Sequence, residues 1–244
     1  MKLIIDIGNT LAKIALYRSN DDIKVFRCKD ITLSFVSEII NKEKNKIDGA
    51  ILCSVREKNV ELIEYLNSIF PNFIEVTYST PMPIDIDYDT PKTLGIDRLM
   101  ACIGARSFND SDNLLVCDFG SAITIDSISE KGVFMGGNIS PGVGLRFKSL
   151  NAFTKKLPLC NIKESITFFG RDTFQAIENG VLNGIIYEIE GYICRFEEIY
   201  EKKSVFFTGG DAKYFADRLK KTIFVKPYLT IIGMNEVLRY NYGK

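Results

Sequence analysis

Two aspartates stand at the ends of aliphatic runs and are each followed by small or polar residues. Asp6 lies in "LIIDIGNT" and Asp118 in "LLVCDFGS". A turn of small residues presents backbone N–H groups and hydroxyls to a phosphate, and a carboxylate beside it can hold a cation or the waters of a cation. A bulged hairpin turn would explain one such segment equally well. Because the pattern occurs twice, and "FFTGG" at 206–210 follows a third apolar run, the sequence favours phosphate binding.

Several kinds of catalytic site are excluded by what the sequence lacks. The chain has no histidine, which rules out Ser/His/Asp triads, Cys/His dyads and histidine-ligated metals. Proton transfer near neutral pH must therefore use carboxylates, Lys, Cys, Tyr or bound water. The two commonest nucleotide loops, G-x-x-x-x-G-K-[ST] and G-x-G-x-x-G, do not occur.

The bulk composition predicts a soluble globular protein. The 244 residues are 46% hydrophobic and 25% charged, and 31 basic residues balance 31 acidic ones, so no net field would hold nucleic acid or an anionic membrane. The six cysteines are widely spaced, as expected of core thiols in a reducing cytosol. No run is long and apolar enough to cross a membrane, and Asp6 interrupts the N-terminal aliphatic stretch as no signal peptide would allow. We therefore expect a cytoplasmic protein that binds neither nucleic acid nor membrane.

The apolar spacing predicts the elements that position these residues. Strands are expected at 2–8, 11–17, 48–55, three times within 113–140, at 204–210 and at 222–226. Helices are expected at 60–70, 95–108, 142–157, 173–200, 211–221 and 231–241. Strand hairpins followed by alternating strands and helices indicate an α/β protein. The two aspartate hairpins roughly halve the chain, which suggests a duplicated fold with domains at 1–113 and 114–244.

Five further segments, taken in order, carry a family resemblance. They are "YDTPKTLGIDR" (88–98), "DFGSAITID" (118–126), "GGNISPG" (136–142), "GRDTFQAIENGVLNG" (170–184) and "TGGDA" (208–212). Together with the first hairpin they resemble the motif series of type III pantothenate kinases, which belong to the acetate kinase, hexokinase, Hsp70 and actin superfamily. The resemblance implies two ribonuclease H-like domains of the actin/hexokinase-type ATPase fold with an active-site cleft between them. It also implies ATP-dependent phosphorylation of pantothenate, the first step of coenzyme A biosynthesis.

The resemblance also assigns roles to residues. Asp97 matches the catalytic base, Asp6 the residue that holds Mg²⁺ through water, and Asp118 the site of a monovalent cation, K⁺ or NH₄⁺. Thr173 matches a substrate contact made across a homodimer interface, which places the substrate site near that interface. The ATP-contacting positions are Asp6, Ile7, Gly8, Asn9, Thr10, Leu11, Ala12, Lys13, Ser121, Gly209 and Gly210. The substrate-contacting positions are Tyr88, Gly95, Ile96, Asp97, Arg98 and Thr173.

Each of these roles has a structural alternative. Asp97 could be only a favourable acid in the first turn of a helix, and Arg98 only a solvated helix cation. Tyr88 could be an aromatic lid over a proline-rich loop, and Thr173 a helix N-cap. Gly136, Gly137 and Gly142 could serve close approach to the substrate or only turn geometry.

Two departures from the family pattern concern the second hairpin. Ser121 stands where threonine is usual and keeps a hydroxyl, whereas Ile123 stands where a second threonine is common and has none. The departure at Ile123 bears on the strength of nucleotide or cation binding. An alternative function is that of a catalytically weak regulatory relative that binds nucleotide or pantothenate. Retention of Asp6, Asp97, Arg98 and Asp118 favours the enzyme.

Overall fold

The protein forms two compact units. The computed structural model describes residues 1–43 and 46–242. One unit comprises Met1–Asp110, Lys131–Met135 and Tyr228–Lys244, and the other Ser111–Glu130 and Gly136–Pro227. Each unit has its own sheet and its own hydrophobic core.

A five-stranded sheet organises the first unit. Its strands are β1 (Lys2–Ile7), β2 (Ala12–Ser19), β3 (Asp22–Cys28), β4 (Gly49–Ser54) and β5 (Phe73–Glu75). The order is β3-β2-β1-β4-β5, with β2 antiparallel to its neighbours and β4 parallel to both β1 and β5. Strands β1, β3, β4 and β5 therefore run in one direction, and their carboxyl ends lie at the same edge of the sheet.

Alternation along β1 decides where its aspartate points. The helices of this unit are α1 (Leu33–Glu43), α2 (Val60–Ile69), α3 (Ile96–Arg106) and, at the C-terminus, α7 (Leu229–Tyr242). Leu3, Ile5 and Ile7 join a core cluster with buried residues of α1 and α2. Because successive strand residues face opposite sides, Ile4 and Asp6 point to the other face, where α7 packs on β1 and β4.

The C-terminal helix α7 belongs to the first unit, which differs from the predicted domains of 1–113 and 114–244. It crosses α3 in direct backbone contact. A Cβ on Gly104 would collide with the carbonyl of Leu229, and a Cβ on Gly233 with the carbonyl of Met100. This pair of glycines lets the two helices approach closely, and the contact joins residues more than a hundred positions apart in the chain.

The second unit repeats the strand–helix plan. Its strands are β7 (Asn113–Phe119), β8 (Ala122–Ile128), β10 (Lys203–Gly209), β11 (Phe224–Val225) and the part of β9 (Val133–Pro141) from Gly136 onward, in the order β11-β10-β7-β8-β9. The helices are α4 (Val143–Phe153), α5 (Thr173–Ile199) and α6 (Ala212–Ala216). A two-residue strand, β6 (Asp85–Ile86), pairs with Val133 and Phe134 at the start of β9, within the part assigned to the first unit.

Most predicted elements are confirmed, with two helices shorter than expected. The helix predicted at 142–157 ends at Phe153, because Thr154 adopts an extended conformation. Its hydroxyl donates to the Leu150 carbonyl at 2.6 Å and accepts from the Leu157 amide at 3.3 Å, which closes the helix. The helix predicted at 211–221 spans only Ala212–Ala216.

Candidate active site

The first aspartate hairpin forms a buried acid–base pair. Asp6 and Lys13 are register partners on β1 and β2, and the Lys13 Nζ lies 3.2 Å from the Asp6 Oδ2. On the other side Asp6 pairs in register with Cys53 of β4. Burial raises the pKa of Asp6, Lys13 acts in the opposite direction, and the charge of Asp97 adds to the rise. A cation bound beside this carboxylate would act in the same direction as Lys13 and favour its ionised form.

The turn between β1 and β2 presents only part of the predicted phosphate motif. Ile7 and Ala12 are buried in the core, whereas Asn9 and Thr10 are exposed. The Gly8 amide donates to the Leu11 carbonyl at 3.1 Å, which closes the turn around those two residues. A phosphate at this turn would thus meet Asn9 and Thr10 and the backbone, while Ile7 and Ala12 support the turn from below.

Asp97 occupies the first turn of α3, where its position depends on the glycine before the helix. Gly95 is the N-cap residue, and a Cβ there would lie only 2.6 Å from the Asp97 Oδ1. The same oxygen accepts a hydrogen bond from the Arg98 amide at 2.9 Å. Asp97 is exposed, while the preceding Ile96 is buried. The carboxylate is thus held in one orientation at a helix N-terminus and remains accessible.

Arg98 is buried between two aromatic rings, so the alternative of a solvated helix cation is wrong. Only 5% of the residue is exposed. Its guanidinium carbon lies 6.0 Å from the Tyr88 ring centre and 5.8 Å from that of Phe134. The two rings meet edge to face with their centres 6.1 Å apart. This arrangement places the Arg98 guanidinium near two aromatic rings, and Arg98 directly follows the exposed Asp97 in the chain.

A cavity opens beside these motifs in the first unit. It has a volume of about 270 Å³ and is bordered by Ile7, next to the phosphate turn, and Ile96, next to Asp97. Leu52, Ile63 and Val76 extend its apolar wall. A small ligand with an apolar body would find a matching wall within reach of both motifs.

The second aspartate hairpin places oxygen atoms together on one face of its sheet. Asp118, at the end of β7, is the register partner of Thr124 on β8 and of Thr208 on β10. Register partners point to the same side of a sheet, so the carboxylate lies between two threonine side chains. The opposite side carries core residues such as Phe119 and Ile123.

Glycines bring backbone close to Asp118. Gly209 has a φ of +94°, and a Cβ there would lie 2.5 Å from the Asp118 Oδ1. A Cβ on Gly142 would collide with the carbonyls of Gly120 and Ser121. The turn with the exposed Ser121 is therefore packed against the start of α4, and Gly209 is required by both its backbone conformation and its contact with Asp118.

Thr173 is the first residue of α5 but not its cap. The N-cap is Asp172, whose Oδ1 accepts from the Gln175 amide at 2.9 Å, so the N-cap alternative for Thr173 is wrong. Thr173 lines an open pocket of about 600 Å³ between α4 and α5, together with Arg146 and Ser149.

Comparison with known proteins then decides the family. The family model of type III pantothenate kinases, which describes their shared sequence pattern, matches residues 2–195. A type III pantothenate kinase of Azobacteroides pseudotrichonymphae genomovar. CFP2 is 42% identical over 243 residues, covering 98% of this chain and 97% of that protein. The chain belongs to the type III pantothenate kinase family. It is therefore a kinase that uses ATP to phosphorylate pantothenate, in coenzyme A biosynthesis.

Two solved structures show the same fold as this kinase. One, named as a "conserved putative Baf family transcriptional activator" from Campylobacter jejuni, has a TM-score of 0.64 and 27% identity and covers 98% of both chains. The other is component A of (R)-2-hydroxyglutaryl-CoA dehydratase from Acidaminococcus fermentans, with a TM-score of 0.54 and 13% identity, covering 99% of this chain and 98% of that one. The second likeness shows the fold alone, the actin/hexokinase-type ATPase fold.

Some of the predicted site residues come together within each unit, whereas Thr173 lines a separate pocket. Asp6, Lys13 and Asp97 interact electrostatically in the first unit. Asp118 and Gly209 are in contact in the second. Sequence reasoning missed Phe134, which completes the aromatic enclosure of Arg98, because no local pattern links a strand phenylalanine to a helix arginine.

The donor set of the first unit fits magnesium held through water. Within residues 1–43 and 46–242, no group of three or more His, Cys, Asp or Glu side chains could hold a metal ion directly. Magnesium keeps several waters and takes few protein carboxylates, so Asp6 alone is an adequate anchor. Among the described residues, no helix is long and apolar enough to span a membrane.

Proposed function

We propose that Asp97 is the general base of this kinase. As the pantothenate hydroxyl oxygen bonds to the γ-phosphorus of ATP, its proton passes to the Asp97 carboxylate and ADP leaves with the electrons of the broken P–O bond. The observation that carries this proposal is the exposed carboxylate of Asp97, oriented by Gly95 and the Arg98 amide at a helix N-terminus. The test is the turnover of Asp97→Asn, and ³¹P and ¹H NMR of the product should show the new phosphate ester on the primary hydroxyl.

Each unit offers its own residues for binding ATP. We assign Mg²⁺ to water-mediated contact with Asp6, and the β1–β2 turn with Lys13 to the phosphates. A magnesium ion there would neutralise charge on the transferring phosphoryl group. Ser121 supplies a hydroxyl to a phosphate, and Gly209 and Gly210 allow the adenosine to approach backbone. A Cβ on Gly210 would meet nothing within 4 Å, which supports open space at that position.

Arg98 suits the carboxylate of pantothenate. Its planar fork of N–H donors matches a carboxylate, and its burial between Tyr88 and Phe134 would strengthen a charge-assisted hydrogen bond. Pantothenate also has an apolar geminal dimethyl group beside its reacting hydroxyl, for which the wall formed by Ile96 offers a contact.

Asp118 is the proposed site of the monovalent cation. Potassium takes oxygen ligands, and Asp118 lies between the side chains of Thr124 and Thr208. We expect Asp118→Asn to reduce the preference of the rate for K⁺ over Na⁺, since the amide lacks the negative charge that holds the ion. Initial rates in matched KCl and NaCl series would measure this, with Asp217→Asn, at the exposed C-cap of α6, as the control. An unchanged K⁺ response in Asp118→Asn would refute the assignment.

A homodimer would cover apolar surface on the second unit. Seven large apolar side chains between residues 139 and 174 are each more than half exposed. They are Ile139, Leu145, Phe153, Leu159, Phe168, Phe169 and Phe174. On α5, a Cβ added at Gly180 or Gly191 would meet nothing within 4 Å, which leaves room for a second helix. Exposed apolar surface of this kind is typical of protein contacts, and Thr173 stands beside it.

We expect Phe174→Glu to shift the protein from dimer to monomer, because a carboxylate cannot be buried unpaired at an interface. Sedimentation velocity at several concentrations would measure the shift. The control is Val60→Glu, at an exposed apolar position of the first unit where an acid suits the helix N-terminus. A wild-type protein that sediments as one chain at all concentrations would contradict the homodimer.

The cysteines support a reducing location. Six free thiols are present, four of them buried. Burial is the largest cause of the raised thiol pKa values of Cys53 and Cys117, which makes these thiols unreactive core groups. We therefore propose the cytoplasm as the compartment.

A regulatory protein remains the second candidate. It is favoured by the Campylobacter jejuni structure, whose name describes a transcriptional activator. The position of Ile123 bears on the choice between enzyme and regulator. Its side chain lies in the core of the second unit. A hydroxyl at that position would point away from Asp118, so the loss of threonine there does not remove an oxygen from the cation site. The retained acids favour the enzyme.

A further inference from the structure

An arginine outside the family motifs holds the first phosphate turn. Arg56 follows β4, and its Nε donates to the Gly8 carbonyl at 2.8 Å. Its Nη1 donates to the Lys29 carbonyl at 2.9 Å and lies 3.5 Å from the Asp30 Oδ1. One guanidinium therefore ties together the segments that follow β1, β3 and β4, whose carboxyl ends share one edge of the sheet.

The direction of the Gly8 carbonyl determines how the turn presents its next backbone N–H. A peptide unit is planar and trans, so its C=O and N–H point in opposite directions. When Arg56 holds the Gly8 carbonyl, it also fixes the direction of the Asn9 N–H. Backbone N–H groups of this turn are the donors available to a phosphate, and their direction decides whether they meet it.

The backbone at Arg56 is itself held by hydrogen bonds. The Arg56 amide donates to the Ser54 Oγ at 3.1 Å, and the Val55 amide donates to the Ile7 carbonyl at 3.0 Å. These bonds attach the segment after β4 to the end of β1, so the guanidinium starts from a fixed backbone. The carbonyls of Gly8 and Lys29 need two separate N–H donors in one plane, which arginine offers and lysine does not.

We propose that Arg56 is a positioning residue that orients the Gly8–Asn9 peptide for the phosphates of ATP. It acts through the turn and takes no part in the proton transfer. The inference rests on the proposed binding of ATP phosphates at the β1–β2 turn. It assigns a role in nucleotide affinity to the segment after β4, which lies outside every motif that carries the family resemblance.

The test measures ATP affinity and turnover separately in Arg56→Gln and Arg56→Lys. We expect KM for ATP to rise by about tenfold to a hundredfold in Arg56→Gln, the scale of a lost hydrogen bond to a charged donor, with KM for pantothenate little changed. Arg56→Lys keeps the charge but cannot bond both carbonyls, so it should show an intermediate rise. The matched control is Lys58→Gln. Lys58 lies two residues after Arg56, and the substitution removes a cation that pairs with Glu75.

Two outcomes would overturn the proposal. A wild-type KM for ATP in folded Arg56→Gln would show that the turn keeps its orientation unaided. An equal rise in Lys58→Gln would show that only the charge of the segment matters. If Arg56→Gln does not fold, the KM for ATP of Arg56→Lys is compared with those of the wild type and Lys58→Gln in the same way. Calorimetric titration with Mg²⁺ and ATP in the absence of pantothenate separates this test from the kinase reaction, because a failure of turnover would leave the affinity comparison intact.

Discussion

The variant Asp97→Asn should retain the fold and lose at least about a hundredfold in kcat, the usual scale for removal of a general base. The amide oxygen of asparagine can still accept the hydrogen bond from the Arg98 amide, which is 2.9 Å long in the wild type. The side chain would therefore keep its orientation at the start of α3 and lose only its ability to take a proton. Initial rates at saturating ATP and pantothenate measure the effect, and circular dichroism checks the fold.

The control for this variant is Asp89→Asn, at an exposed acid in the segment that leads to α3. It removes the same charge without touching the proposed base, and its rate should stay near that of the wild type. Near wild-type turnover in Asp97→Asn would remove Asp97 from the catalytic role and leave it as a helix-terminal acid.

Arg98→Met should raise KM for pantothenate by about tenfold to a hundredfold, with kcat changed much less. Methionine fills much of the volume of the arginine stem and packs well against Tyr88 and Phe134, so the aromatic enclosure should survive the loss of charge. The loss would then report the guanidinium contact with the substrate carboxylate. Saturation curves in pantothenate at fixed ATP measure the effect.

Two comparisons sharpen that result. Arg98→Lys keeps the charge without the planar fork and should fall between wild type and Arg98→Met. Lys92→Met, at an exposed cation just before α3, should leave KM for pantothenate unchanged. If Arg98→Met binds pantothenate normally, the buried guanidinium serves the stability of the first unit instead.

The sequence predicted the parts of the fold that depend on local pattern. The two hairpins, the buried strand β4 and the long helix α5 were all expected, because aliphatic runs and helical spacing are readable within a few residues. Four elements of the first unit were missed, namely α1, β3 and the short strands β5 and β6. Strand β3 is an edge strand whose residues are only partly buried, so its apolar signal is weak. Helix α1 carries Val36, Ile39 and Ile40 at helical spacing, a signal that could have found it.

What could not be predicted depends on contacts between distant segments. Arg98 has the surroundings of an ordinary helix residue in sequence, and only the fold brings Tyr88 and Phe134 to its guanidinium. The assignment of α7 to the first unit depends on the contact of its Gly233 with α3. No sequence pattern around Gly233 indicates that contact. Asp6 and Asp118 could be identified from the sequence because they interrupt apolar strands. The residues that support them could not.

The most direct test of the account is ADP release by the purified protein with ATP and Mg²⁺, measured with and without pantothenate and in K⁺ against Na⁺. We expect release that requires pantothenate, is faster in K⁺, and falls at least about a hundredfold in Asp97→Asn. No pantothenate-dependent release from folded wild-type protein in either salt would contradict it and would favour the nucleotide-binding regulator.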